Sequence, residues 1–271
     1  MISEEQFLSH MRSIWNSRKI KQNYLDSVLE RNFLFVEGKL DSLLVSSLNV
    51  DNSFTPIAVS YMAYSEKDDD FVVTKTTHEN RGKKFVIRRI KKNRPNEFGL
   101  VDMDHDYEQK ALVGIKNRAI DSSNSMTLVG KIIPKISIFI DQFLQHLHDR
   151  KVLTTGQISN LKEQSIFTNL QVKILSMQRF LKYPQSRFNE NWECTSSGKE
   201  ISSLHKELRK LCPKNLEYIN DHDLEEALIR LLNPLIDARL VKRELKSLIV
   251  KISKKSDLQI KVDENAIMWS N

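Results

Sequence analysis

The chain has little glycine and proline, seven and six in 271 residues, and no low-complexity tract, which excludes a collagenous, elastic or linker-like polymer. Cysteine is scarcer still. Cys194 and Cys212 form no C-x-x-C pair and have no histidine at zinc-finger spacing, so a disulfide framework and a structural zinc site are both argued against and reduced thiols are expected. The histidines are scattered; His146 and His148 stand two apart, which on a helix turns them to different faces. No window approaches the roughly eighteen uninterrupted apolar residues of a membrane span. The first thirty residues carry Glu4, Glu5, Arg12 and Lys19 without an apolar stretch of the secretory kind, so a cytoplasmic protein with no membrane partner is expected. No G-x-x-x-x-G-K-[ST] occurs, so any ATP dependence has to come from a separate chain.

What is present describes a globular protein large enough for two modest domains: 40% hydrophobic, 28% charged, net charge +7 and pI near 9.2. A basic balance favours a polyanionic partner weakly, and the location of the charge matters more than its sum.

Residues 3–30 read as one or two helices, with Ser3 and Gln6 as a capping box and Phe7, Met11, Ile14 and Trp15 at helical spacing. Phe33, Leu34, Phe35 and Val36 are β-prone and bare of polar groups, which suits a strand covered on both faces. An amphipathic helix over 39–48 follows, with Leu40, Leu43, Leu44 and Leu48 on one side. Residues 56–64 are ambiguous, and 71–76 (FVVTKT) suggest a second strand. From Arg81 the chain reads RGKKFVIRRIKKNR, in which eight of fourteen positions are basic and none is acidic. This helix is expected to end at Pro95. Phe98 to Val101 is a third strand, and strand alternating with helix implies parallel βαβ units. Beyond Ile132 the pattern turns to long helices, including one capped by Asp223 and Glu226 with the stripe Leu224, Leu228, Leu231, Leu232, interrupted at Pro234. A further helix carries Leu240, Leu245, Leu248 and Ile249, with Lys242, Arg243, Lys246, Lys251, Lys254 and Lys255 nearby. The expected division is an α/β domain over 1–131 and a helical domain over 132–271, with 258–262 (LQIKV) as a short edge strand.

Two strand ends carry the chemistry. Glu37 emerges after 33–36, at the edge where open α/β sheets bind ligands, although an ordinary solvated loop acid has the same pattern. In LVDMDHDY, Asp102 and Asp104 are two apart, so extended backbone points both carboxylates to one side, and Asp106 extends the row. Several ionised carboxylates at one strand end repel, and a hard divalent cation such as Mg²⁺ or Mn²⁺ is the simplest species to stabilise them; aspartates that cap the next helix are the plainer alternative.

FVEGKLD at 35–41 followed by GLVDMDHD at 99–106 resembles the Toprim domain shared by topoisomerases, primases and OLD-family nucleases, whose motifs are a strand-terminal Glu-Gly and a strand-terminal Asp-x-Asp. The likeness is nearest to the Toprim nucleases of phage-defence systems that partner an ATPase, and it covers about residues 30 to 125. It implies a Toprim-like parallel sheet flanked by helices, with an α-helical C-terminal domain beside it. Catalytic roles fall to Glu37, Asp102 and Asp104, and Mg²⁺ or Mn²⁺ ligation to those three and Asp106. RGKK at 81–84 resembles the glycine-lysine turn that opens a helix beside such a site. The chain departs from the pattern downstream, where AIDSSNSMTLV offers Asp121 without a following glutamate, so Asp106 or Asp121 would have to complete a two-metal site.

The resemblance implies a metal-dependent endonuclease, with RNA (tRNA among the candidates) favoured over DNA, acting as an antiviral defence toxin restrained by a separate ATPase and homodimeric as one form of its active state. Lys39, Arg81, Lys83, Lys84, Arg88 and Arg89 would hold nucleic-acid phosphates; a solvated outer helix face is the competing reading of the same charges. His105 reads either as a surface residue or as a proton donor, and Tyr107 is rejected as a nucleophile. A non-catalytic Toprim-like adaptor that binds nucleic acid or an ATPase is the alternative from another class, and primase-type nucleotidyl transfer would use the same acids.

Overall fold

A computed structural model describes residues 3–22, 32–48, 54–65, 70–73, 82–92, 94–102, 117–122, 127–133, 136–162, 221–263 and 266–270. The chain divides into two units, Met1–Asp102 with Gln109–Asp121 and Ser253–Asn271 forming one, and Met103–Glu108 with Ser122–Ile252 the other. The division therefore falls after Asp121 rather than near residue 131, and the tail belongs with the first unit.

The first unit opens with α1 (Glu4–Gln22). Its start is the expected capping box: Gln6 N–H donates to Ser3 Oγ at 3.1 Å, and Ser3 N–H to Gln6 Oε1 at 2.8 Å. Phe7, Met11 and Trp15 are buried at helical spacing.

The central sheet has four parallel strands in the order β2-β1-β5-β6, built from β1 (Asn32–Val36), β2 (Phe54–Ala58), β5 (Glu97–Val101) and β6 (Ala119–Asp121). Leu34, Phe35 and Val36 are wholly buried, as a strand covered on both faces requires. α2 (Lys39–Leu48) connects β1 to β2 and buries Ser42, Leu44, Val45 and Leu48, so the buried stripe is rotated from the expected one and leaves Leu40 and Leu43 half-buried. Of the ambiguous stretch 56–64, Pro56 lies inside β2, an edge strand, where a residue without an N–H costs no interior ladder bond.

β3 (Met62–Ser65) and β4 (Asp70–Val73) then form a separate antiparallel hairpin. The expected second strand is thus real but lies outside the parallel sheet.

α3 (Lys83–Ile90) precedes β5, and the helix ends well before Pro95. Because the chain moves from β1 to β2 in one direction and reaches β5 in the other, right-handed crossovers require α2 and α3 on opposite faces. α3 lies close to its face. A Cβ on Gly99 of β5 would stand 3.0 Å from both Val86 Cγ1 and Ile90 Cγ1, so glycine is what allows the approach. Trp15 meets Phe33 and Phe35 edge-on at 6.3 and 6.2 Å on the same face.

The tail forms an antiparallel hairpin of β7 (Gln259–Asp263) and β8 (Ala266–Ser270). Ile267 N–H donates to the Asn117 carbonyl at 2.9 Å, tying the hairpin beside the entry to β6.

In the second unit the described elements are helical: α4 (Leu128–Ile132), α5 (Ile136–Asp149), a helical segment over 155–162, α6 (Asp221–Leu232) and α7 (Ala238–Ser253). Thr127 caps α4 by accepting from Gly130 N–H at 3.0 Å. Phe139, Ile140, Phe143, Leu144 and Leu147 form the buried face of α5. α6 buries the expected leucine stripe but begins at Asp221, so Asp223 stands within its first turn rather than at its cap. Val241, not Leu240, joins Leu245, Leu248 and Ile249 in the buried side of α7. Among the described residues, no helix is long and apolar enough to cross a membrane.

Candidate functional site at the ends of β1 and β5

β1 and β5 are hydrogen-bonded parallel neighbours, so their last residues, Val36 and Val101, deliver Glu37 and Asp102 to one edge of the sheet. The two segments, 65 residues apart in sequence, are joined directly: the Asp102 backbone N–H donates to Glu37 Oε1 at 2.9 Å. Both residues are half-buried. The chain reverses its direction of progress across the sheet between these two strands, which makes their C-terminal ends the topological switch point, where open α/β sheets bind ligands.

Local sequence explains why Glu37 is held firmly. The Ser60 N–H, from the turn after β2, donates to the Glu37 carbonyl at 3.3 Å. Immediately beyond, Gly38 N–H donates to Asp41 Oδ2 at 2.9 Å and Ser42 N–H to the Gly38 carbonyl at 3.1 Å, so α2 starts without slack after the acid. Left-handed backbone, which would favour glycine, occurs not at Gly38 but at Gly82, with φ of 78°. Gly82 is the N-cap of α3, and a Cβ there would stand 3.4 Å from Glu37 Oε2. One carboxylate oxygen of Glu37 thus meets the start of the DxD segment and the other abuts the turn that opens the basic helix.

The placement of α3 against β1 and β5 rests on a buried ion pair. Arg89 donates from Nε and NH2 to the two carboxylate oxygens of Glu97, at 2.9 and 2.6 Å, and both side chains are at most 1% exposed. The guanidinium also lies 5.4 Å from the Trp15 ring centre and 5.1 Å from that of Phe35. Arg89, expected from the sequence to bind phosphate, instead faces the core, and an Arg in that environment cannot touch a phosphate on the outer face of α3. Sequence reasoning missed Glu97 because an acid at the head of an apolar strand looks like a solvated terminus. The available signal was its alternation with Gly99, which puts both on the face that α3 covers.

The remaining basic residues sort by position. Lys84, Arg88, Lys91 and Lys92 are exposed, and Lys83 is half-buried. Lys39 is half-buried with Nζ 5.3 Å from the Phe7 ring centre. Arg81, Asp104, His105, Asp106 and Tyr107 lie outside the described residues, as do both cysteines. Asp121 is the last residue of β6, in register with Val101, so its backbone reaches the same edge. Among the described residues, no cluster of three or more His, Cys, Asp or Glu is gathered to hold a metal.

A second set of charged groups converges in the other unit. Glu244 on α7 is buried, and its carboxylate lies 3.1 Å from His146 Nε2 on α5, 3.1 Å from Arg243 and 3.4 Å from Arg150. Burial pushes its carboxyl up, but hydrogen bonds from Arg243 and His146 and the charges of Arg150 and Arg243 more than offset this and leave it below the ordinary carboxylate value. His148 turns elsewhere, toward Gln145 and Thr155, as the two-residue spacing predicts. This cluster ties two helices together.

The chain matches no family model, no curated protein and no solved structure.

Proposed function

We propose that the protein is a metal-dependent Toprim nuclease that hydrolyses nucleic-acid phosphodiesters at the C-terminal ends of β1 and β5. The observation that carries this reading is the 2.9 Å hydrogen bond by which the Asp102 segment meets Glu37 at the switch point of a parallel sheet. The donor set fits a hard cation: Glu37 and Asp102 offer oxygen only, and the Toprim resemblance adds Asp104 and Asp106 from the same run. When bound, Mg²⁺ or Mn²⁺ supplies charge neutralisation at the phosphoryl oxygens and a more acidic water.

The chain's own residues have separate tasks. Glu37, held by Asp102 N–H on one oxygen, is the carboxylate rigid enough to orient a ligand or take a proton. Gly82 keeps the space beside its other oxygen clear of a side chain. Lys84 and Arg88 on the exposed side of α3 attract the phosphate backbone, with Lys83 at the helix start, and Arg81 and Lys39 belong to the same proposal through the sequence pattern. RNA as substrate, a defence role and restraint by a separate ATPase belong to this proposal through the Toprim resemblance.

The test is cleavage of labelled RNA and of plasmid DNA by the purified chain with Mg²⁺ and with EDTA. Mg²⁺-dependent cleavage abolished in Glu37→Gln supports the reading; no cleavage of either substrate under any metal sinks it. One observation favours the adaptor alternative. The hydrogen bond to Asp102 N–H also satisfies Glu37 as a purely structural strand-end acid, and in that case Glu37→Ala, which removes the acceptor, would lower stability while nucleic-acid or ATPase binding stayed intact.

A further inference from the structure

The first turns of α7 raise a question that the site at β1 and β5 does not answer. This helix carries five basic residues, Arg239, Lys242, Arg243, Lys246 and Lys251, and a single acid, Glu244. The acid is turned inward and is 3% exposed. Arg239, Lys242, Arg243 and Lys251 are exposed and Lys246 is half-buried, so the solvent side of the helix has cations and no carboxylate of its own. Arg239, Arg243 and Lys246 recur at i, i+4 and i+7 and stack along one side, with Lys242 beside them and Lys251 about 120° round the helix from Arg239, exposed near its C-terminal end. The row from Arg239 to Lys246 spans about 10 Å along the axis, and the basic residues as a whole about 18 Å.

Its charges are unequally engaged. Lys242 is paired with Glu225 at 2.7 Å, and Arg243 leans on Glu244. Arg239, Lys246 and Lys251 make no ion pair with any described residue, although the exposed Asp237 carboxylate lies beside Arg239 at the start of the helix.

We infer that this face of α7 is a nucleic-acid docking surface that contacts the phosphate backbone without reading bases. Charge complementarity selects a polyanion, and the rest of the face selects among polyanions. A protein partner is held by a buried apolar or aromatic anchor at the centre of the interface, and a lipid surface is held by apolar side chains inserted beside the lysines. None of the exposed large apolar side chains among the described residues lies on α7; they are Ile138, Leu235 and Met268. Cations spread along the helix, three of them without an ion-pair partner among the described residues and none beside an apolar anchor, suit repeated phosphates and electrostatic attraction. The inference stands whether or not the chain cleaves what it binds.

The experiment measures binding of the full chain to a fluorescein-labelled single-stranded RNA of mixed sequence in EDTA, by anisotropy over a series of KCl concentrations. The triple variant Arg239→Gln/Lys246→Gln/Lys251→Gln removes only side chains without a described partner, so it should melt at the wild-type temperature. It is expected to bind at least about tenfold more weakly, and its slope of log K against log salt should shrink by about 2, near 0.7 for each lost contact. Should the triple variant melt early, the single variants Lys246→Gln and Lys251→Gln carry the test, each expected to remove about one third of that change in slope. An unchanged affinity and slope overturns the inference. So does a wild-type chain that ignores RNA, or that binds anionic vesicles or polyglutamate instead. Because EDTA prevents metal-dependent cleavage, a chain that binds RNA through α7 yet never cuts it with Mg²⁺ removes the nuclease reading alone, whereas cleavage with an unaltered α7 slope removes this one alone.

Discussion

Arg89 and Glu97 form a two-pronged ion pair, 2.9 and 2.6 Å, inside the core between α3 and β5. Removing one partner strands the other charge without water, the costly half of a buried pair. Arg89→Ala or Glu97→Ala is expected to lower stability by about 3–5 kcal/mol. Replacing both, as Arg89→Met/Glu97→Leu, should recover most of that loss. Arg88→Glu, on the exposed side of the same helix, should leave urea unfolding within about 0.5 kcal/mol of wild type. Equal destabilisation by the Arg88 and Arg89 substitutions would contradict the burial assigned to Arg89.

Gly99 lets α3 approach the sheet, since a Cβ there would meet Val86 and Ile90 at 3.0 Å. Gly99→Ala should cost about 1–3 kcal/mol by overpacking. Gly82→Ala acts by a different route, because φ of 78° is strained for any residue with a Cβ. It should cost on the order of 1–2 kcal/mol and disturb the turn beside Glu37. Denaturant midpoints of the two variants measure both effects; wild-type stability in both would mean that α3 is free to shift without loss.

Glu37→Gln keeps an oxygen for the Asp102 N–H but removes the charge, so the fold should survive. If the acid ligates metal or moves a proton, cleavage in Mg²⁺ should fall on the order of 10² to 10⁴ fold. Chelation of the wild-type protein should reproduce the loss, and added Mn²⁺ should restore it. Cleavage at wild-type rate by a correctly folded Glu37→Gln protein would remove the acid from the chemistry.

Glu244 sets an acid limb of stability. Its folded carboxyl is held below the ordinary value, first against the opposing effect of burial, by Arg243, His146 and Arg150. A depressed carboxyl contributes stability that is complete above the unfolded pKa, about 4.3, and is lost as pH falls through the folded value. Thermal midpoints of wild type should therefore drop as the pH is lowered below about 4.3, and Glu244→Gln, already less stable at neutral pH, should show a shallower drop. Parallel pH profiles for the two proteins would argue that this carboxylate is not coupled to folding.

Local pattern was enough for much of this protein. The Ser3/Gln6 capping box, the apolar runs that became β1 and β5, the helix between Lys39 and Leu48, and the break at Pro234 all follow from residue-by-residue preferences that act over a few positions. The acids at the ends of two strands were legible for the same reason, since an apolar run that stops at a carboxylate marks an edge wherever the strand lies.

Pairing was not legible in that way. Nothing near residue 33 announces that β1 lies between β2 and β5, because parallel strands meet through crossovers whose partners are far apart in the chain. That arrangement alone brought Asp102 N–H to Glu37. The tertiary structure also decided which arginine faces water: Arg88 and Arg89 are chemically alike and adjacent, and one helical step of 100° sends one to solvent and the other to Glu97. Sequence determined which segments become strands and helices and where their acids fall; only packing, which sums contacts between distant segments, decided which of those charges meet.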